Sequence, residues 1–302
     1  GLIMALSAPG APGAPAAAAA LAAATPLSAA ERDADERREI TVELCRALDS
    51  VSVAKPAAMR VLSVVDNPNT NAQMVAQAIE LDPTFAAQIM RLGNSAYYGM
   101  SGKVGNTGFA VSVIGFAAVR SMAAISATGL STQSAIPDGF WRHAAAAAAG
   151  ASVVAPRLGL PAADCFAAGL LHDVGTAFLH GFDQSGHLAL IAEHGTDGAG
   201  LAAAEADRYG MGHDAAAAHV LSAWKFPLPF VEAVAWHHHA TEGNALADAV
   251  RTGDLLALLS EGLGDALVVS ELIEAGIPEE EQEELVVATG DRAAEILSTL
   301  PI

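Results

Sequence analysis

Residues 74–99 read MVAQAIELDPTFAAQIMRLGNSAYYG, and this stretch decides the fold class. Apolar residues return at helical intervals: Met74, Ile79 and Leu81 before Asp82-Pro83, then Phe85, Ile89, Met90 and Leu92 after it. Aspartate caps helix starts well, and proline fits the first helical turn but breaks an interior. Asp82-Pro83 therefore closes one short helix and opens the next. Asn94, Ser95, Tyr97 and Tyr98 then put polar groups at a helix end.

The same pattern extends in both directions. Ala34–Leu48 is amphipathic, with Ile40, Leu44, Ala47 and Leu48 on one face. Pro56 opens a helix that turns Met59, Leu62 and Val65 inward and ends near Asn67-Pro68. Asn69 or Thr70 is expected to cap the helix carrying Met74. Downstream, Ser101–Gly108 reads as a loop, and Phe109–Leu130 as a helix broken near Gly115. Ser131–Asp138 is polar and contains Pro137, which marks a linker between two helical lobes. Further helices follow at Phe140–Ala155, Pro161–His172, Asp214–Trp224, Phe230–Trp236, Leu246–Leu263 and Glu279–Leu300. The expected organisation is an Ala/Pro/Gly-rich disordered tail over 1–30, a first lobe over 31–135 and a second over 136–302. The fold class is all-α.

Composition agrees. Of 302 residues 52% are hydrophobic, much of that alanine, and only 5% are aromatic. Alanine favours helix, while strands draw on β-branched and aromatic residues that are scarce here. Thirty-four acids against 15 bases give a net charge of −19. Such a polyanion repels nucleic acid and anionic lipid, so neither is expected as a partner. No stretch reads as the roughly 20 strongly apolar residues of a membrane span. The apolar run Ala16–Ala24 has no basic residue before it, the first being Arg32, and so does not read as a signal peptide. Cys45 and Cys165 lie in apolar-periodic segments and read as buried free thiols. Together these features lead to the expectation of a soluble cytoplasmic chain.

The chemistry is concentrated in histidine. All ten histidines lie at or beyond His143. His172-Asp173 ends the apolar run Cys165–Leu171, where two adjacent polar side chains can project into a lobe interior. Imidazole with carboxylate is a donor pair for a borderline transition metal. His143 sits in an apolar helix, His213 precedes one, His237 and His238 end another, and Asp254 interrupts a fourth. Each has a plain structural reading: His143 as a satisfied core histidine, His237–His239 as a surface cluster, Asp254 as a local cap. His180, His187 and His194 recur every seven residues, but Gly181 and Gly186 interrupt the segment, and a surface face is expected. The chain has no Gly-rich phosphate loop, no serine nucleophile elbow and no zinc-type cysteine pair.

The order His … His-Asp … His … His-His … Asp on helices resembles the HD superfamily of metal-dependent phosphohydrolases. More closely, the chain resembles the HDOD family, a regulatory branch of that superfamily. The closer match rests on the helix ending in Asp82-Pro83, on Arg91-Leu92-Gly93-Asn94-Ser95-Ala96-Tyr97-Tyr98-Gly99, on Val111–Arg120, on Trp141-Arg142-His143 and on Gly169-Leu170-Leu171-His172-Asp173-Val174-Gly175. It spans about residues 40–265.

The resemblance implies a two-lobe helical fold whose second lobe is HD-like. It implies one metal on His143, His172, Asp173 and Asp254, and a second on Asp173, His213 and His237 or His238. Imidazole and carboxylate suit Fe, Mn, Ni or Zn. It also implies a signalling role with a protein partner. Two departures weigh against hydrolysis. Relatives that cleave cyclic dinucleotides carry a lysine where Thr176 stands, and a Gly-Tyr-Pro motif after the double histidine, whereas no tyrosine follows Tyr209. No catalytic residue is therefore assigned, and a metal-dependent phosphohydrolase is the alternative. Asn94, Ser95, Tyr97 and Tyr98 are either turn-fixing residues or contacts to a ligand or partner. The oligomeric state is not legible.

Overall fold

The computed structural model describes residues 29–51, 56–128, 136–195, 198–239 and 243–300. Among them there are helices and no strands. Residues 1–28 of the expected tail and most of the expected linker lie outside the described residues, while Ala29 and Ala30 already belong to the first helix.

The first helices are α1 (Ala29–Val51), α2 (Pro56–Val65), α3 (Ala72–Ile79), α4 (Pro83–Gly93), a 3-10 turn (Ala96–Tyr98) and α5 (Thr107–Thr128). The second part contains α6 (Phe140–Val154), α7 (Ala162–Leu171), α8 (Val174–Phe182), α9 (Gln184–His194), α10 (Ala199–Tyr209), α11 (His213–Ala223) and α12 (Leu228–Ala235). α13 (Ala245–Ser260), α14 (Ala266–Glu274) and α15 (Glu279–Leu297) close it.

Asp82 caps α4 as the sequence predicts, accepting hydrogen bonds from the N–H groups of Thr84 and Phe85. Three local expectations need correction. Asn71, rather than Asn69 or Thr70, caps α3 through the Met74 N–H. Met74 and Leu81 are exposed, and Val75 with Ile79 carries the buried face instead. α14 was not anticipated at all. The break at Gly115 is real: its φ of +83° is one that L side chains rarely adopt.

α5 is also long and apolar enough, by length and composition, to cross a membrane, contrary to the sequence reading. In this fold Val111, Ile114, Val119 and Met122 of α5 are buried, and the helix packs against α2, α3, α4 and α7. Apolarity here serves a core helix.

α6 is the hub of the second part, enclosed by α7, α13 and α15. Its run Ala144–Ala149 is fully buried. Small side chains let neighbouring backbones approach closely. At the crossing with α13, a Cβ on Gly150 would lie 2.5 Å from the Gly253 carbonyl oxygen, so neither glycine has room for a side chain. One apolar cluster runs from Leu44 through α5 and α6 to Leu300, joining the two parts. α1 lies against α8, α10 and α11.

Candidate metal centre

Chain geometry gathers seven side chains from five segments. α7 ends at Leu171 and α8 begins at Val174, so His172 and Asp173 occupy a buried joint between helices. His143 comes from α6, Asp254 from α13, and His213 opens α11. His237 and His238 follow the end of α12. Close approach is again built from glycine: a Cβ on Gly175 would overlap the His213 carbonyl, so α8 can bring Asp173 against α11 only because residue 175 has no side chain.

Asp173 stands at the middle. Its Oδ2 lies 3.6 Å from His172 Nε2 and 4.0 Å from His143 Nε2. Its Oδ1 lies 3.4 Å from Nε2 of both His213 and His237. Asp254 Oδ1 completes the first side, 3.0 Å from His143 Nε2 and 3.9 Å from His172 Nε2. His238 completes the second, with its Nε2 2.8 Å from His213 Nε2. The donor atoms thus form two groups, His143/His172/Asp254 and Asp173/His213/His237/His238.

The other ring nitrogens fix how these imidazoles present themselves. Nδ1 of His172 lies 2.7 Å from the Gly169 carbonyl, and Nδ1 of His237 lies 2.6 Å from the Val234 carbonyl. His143 Nδ1 meets Glu261 Oε2 at 2.9 Å, and His213 Nδ1 meets Glu205 Oε2 at 2.7 Å. Carbonyl and carboxylate oxygens only accept, so each Nδ1 donates. Each Nε2 therefore turns its acceptor side to the centre, the form in which histidine binds metal.

Electrostatics point the same way. Burial works to raise the Asp173 carboxyl, but positive charge at His172, His213 and His237 outweighs it and holds it well below the usual carboxylate range; with those rings neutral, a bound cation takes over that charge. Glu205 is held low against burial by its hydrogen bonds with His187 and His213, and Glu261 by His143 and Arg142. Asp173 Oδ1 is nonetheless buried without a hydrogen-bond partner. An ionised oxygen in that state is costly unless a cation compensates it. The donor set, imidazole nitrogen with carboxylate oxygen, fits two divalent transition ions sharing Asp173 and does not select one metal.

All seven metal candidates from the sequence meet here. His237 is buried rather than part of a surface cluster, and Asp254 is buried rather than a cap. Asn94, Ser95, Tyr97 and Tyr98 lie elsewhere. Asn94 donates to the carbonyls of Met90 and Val104 and accepts from the Val104 N–H. Ser95 donates to Leu92, and Tyr97 donates to Ser152 of α6 at 2.9 Å.

The surface-face expectation for His180 and His187 is wrong, and both are buried. They stand on different helices, with Asp183 capping α9 between them. Glu205 and Glu261 were missed. Glu205 had a signal: it shares the buried face of α10 with Leu201 and Tyr209, so an acid interrupts an apolar stripe.

Two cavities flank the centre. One of about 150 Å³ is lined by Asp138, Phe140, Arg142, His143, Asp173 and Thr176, among others. The other, about 570 Å³, reaches His237, His238 and Asp254 past Arg251, Leu258 and Val268.

The chain was then compared with known proteins. No curated protein sequence matched it. In fold it is similar to a Shewanella amazonensis SB2B protein provisionally named a phosphohydrolase, with a TM-score of 0.66 and 23% identity over 85% of this chain and 97% of that one. It is similar to a Marinobacter aquaeolei VT8 protein provisionally named for signal transduction, with a TM-score of 0.62 and 21% identity over 87% of this chain and 65% of that one. An HDOD domain protein of Geobacter sulfurreducens gives a TM-score of 0.59 and 20% identity over 86% of this chain and 97% of that one. The sequence profile of the HDOD domain matches residues 53–240, more than half of the chain. The chain belongs to the HDOD domain family.

Proposed function

We propose that this chain is an HDOD signalling module that keeps a two-metal HD centre and does not hydrolyse phosphodiesters. The observation that carries the proposal is Asp173, whose two oxygens face two separate groups of ligands. His143, His172, Asp173 and Asp254 would hold one ion, and Asp173, His213, His237 and His238 the other. A divalent ion bound there supplies fixed positive charge and Lewis acidity. The protein's own part is to present neutral imidazoles through their Nδ1 hydrogen bonds and to keep Asp173 ionised.

The absence of turnover is argued from the small cavity. Thr176 is buried on its wall and presents a neutral hydroxyl where the resemblance implies a lysine in relatives that cleave cyclic dinucleotides. Arg142, the cation at this rim, is engaged with Glu261 at 2.9 Å. An incoming phosphate therefore meets no uncommitted positive side chain of the cavity. The proposed output is a contact with a protein partner in the cytoplasm, a reading that rests on family membership, while the net charge of −19 speaks against nucleic acid or anionic lipid in that place.

The second reading, a metal-dependent phosphohydrolase, draws on the completeness of the ligand set. The deciding assay is turnover of a generic phosphodiester with Mn²⁺, Fe²⁺, Ni²⁺ or Zn²⁺. No turnover above background is expected. Metal-dependent turnover that Asp173→Ala abolishes would establish the enzyme instead.

A further inference from the structure

We infer that Glu205, pinned by His187, is the positioning residue of the second metal position: it holds His213 in the orientation and tautomer that ligation requires. The inference rests on the reading of the centre as a metal site and adds residues outside the ligand set.

Glu205 and His187 are both fully buried. Glu205 Oε2 accepts two hydrogen bonds from one residue, from His213 Nδ1 and from the His213 backbone N–H, each at 2.7 Å. The second of these takes up a backbone donor in the first turn of α11, whose N-cap Gly212 has no side chain to do so. One carboxylate oxygen thus fixes both the backbone and the ring of His213. The other oxygen, Oε1, receives His187 Nε2 at 2.8 Å. A carboxylate buried this deeply is tolerated only when its oxygens are filled, and three donors fill this one.

The first metal position is held differently. Its His143 leans on Glu261, whose other oxygen is shared with Arg142, a residue exposed at the rim of the small cavity. The second position is therefore set from a sealed interior, by α9 and α10, and the first from the surface. Loss of Glu205 should weaken one position and spare the other. A purely structural role for Glu205 would not produce that asymmetry.

The test is titration of the metal-free protein with Mn²⁺, followed by calorimetry and by electron paramagnetic resonance. Wild type should bind at both positions and give the signature of a spin-coupled Mn²⁺ pair. Glu205→Gln should weaken the second position about 10- to 100-fold, the range for lost second-sphere partners, leave the first unchanged and abolish the coupled signal. His187→Asn, which leaves the Glu205–His213 contact in place, should weaken the same position by a smaller factor. It carries the test alone if Glu205→Gln does not fold. Wild-type affinity at both positions in the folded variants, or equal weakening of both, overturns the inference. A wild type that binds no ion removes the metal reading itself, and this inference with it.

Discussion

His143 Nε2 meets Asp254 Oδ1 at 3.0 Å across two helices, and the contact depends on a crossing between Gly150 and Gly253 that leaves no room for a side chain. Asp254 adjoins Gly253, so the closeness of α6 and α13 sets the ligand distance directly. A methyl at residue 253 would overlap the backbone of Ala151. Overpacking of a tight crossing costs about 1–3 kcal/mol and displaces backbone. Gly253→Ala should therefore lower stability by about 3 kcal/mol in chemical denaturation and weaken metal binding at the first position. Unchanged stability would show that the crossing can relax.

Asn94 separates a structural role from a recognition role. Its side chain makes two hydrogen bonds that tie the end of α4 to Val104 and a third back to the Met90 carbonyl, and Val104 is itself buried. Asn94→Ala leaves the Val104 N–H and carbonyl without those partners, at a cost of about 2 kcal/mol. Denaturation should report that loss while metal affinity stays at the wild-type value. A variant of wild-type stability would return Asn94 to the ligand-or-partner candidates.

Asp183 gives a pH-dependent contribution outside the metal centre. Partial burial works to raise its carboxyl, but hydrogen bonds from Arg208, the Gly186 N–H and Tyr209 hold it below the ordinary value. A depressed folded-state pKa stabilises the protein above the unfolded value of about 3.9, and the benefit fades as pH falls through the folded value. The site is partly exposed, so the gain is modest. Asp183→Asn keeps a capping side chain and removes the charge, so it should cost about 0.5 kcal/mol at pH 7, with the gap to wild type closing below about pH 4. A gap that stays constant with pH would contradict this account.

Much of the site was legible because ligand residues break helical periodicity. His143 and Asp254 each interrupt an apolar face, His213 precedes one, and His172-Asp173 closes one. Caps and prolines likewise marked several helix starts, as at Asp82-Pro83. The supporting shell was less visible. Glu261 follows α13 and carries no local mark of a role until the fold brings it to His143. His187 becomes buried only because α9 turns back on α10 to meet Glu205. These are contacts between helices, and a periodicity within one helix does not encode them.

The most direct test of the metal centre is ion content and its link to stability. Protein purified without chelator should carry divalent transition metal, up to one ion for each of the two donor groups. Chelator should lower its melting temperature, because ligand bound to the folded state adds to its stability. Asp173→Ala, which removes the residue shared by both groups, should abolish the metal content and the chelator effect together. A metal-free wild type whose melting temperature is indifferent to chelator and to added Mn²⁺, Fe²⁺, Ni²⁺ or Zn²⁺ would contradict the account, leaving a closed histidine–carboxylate network in its place.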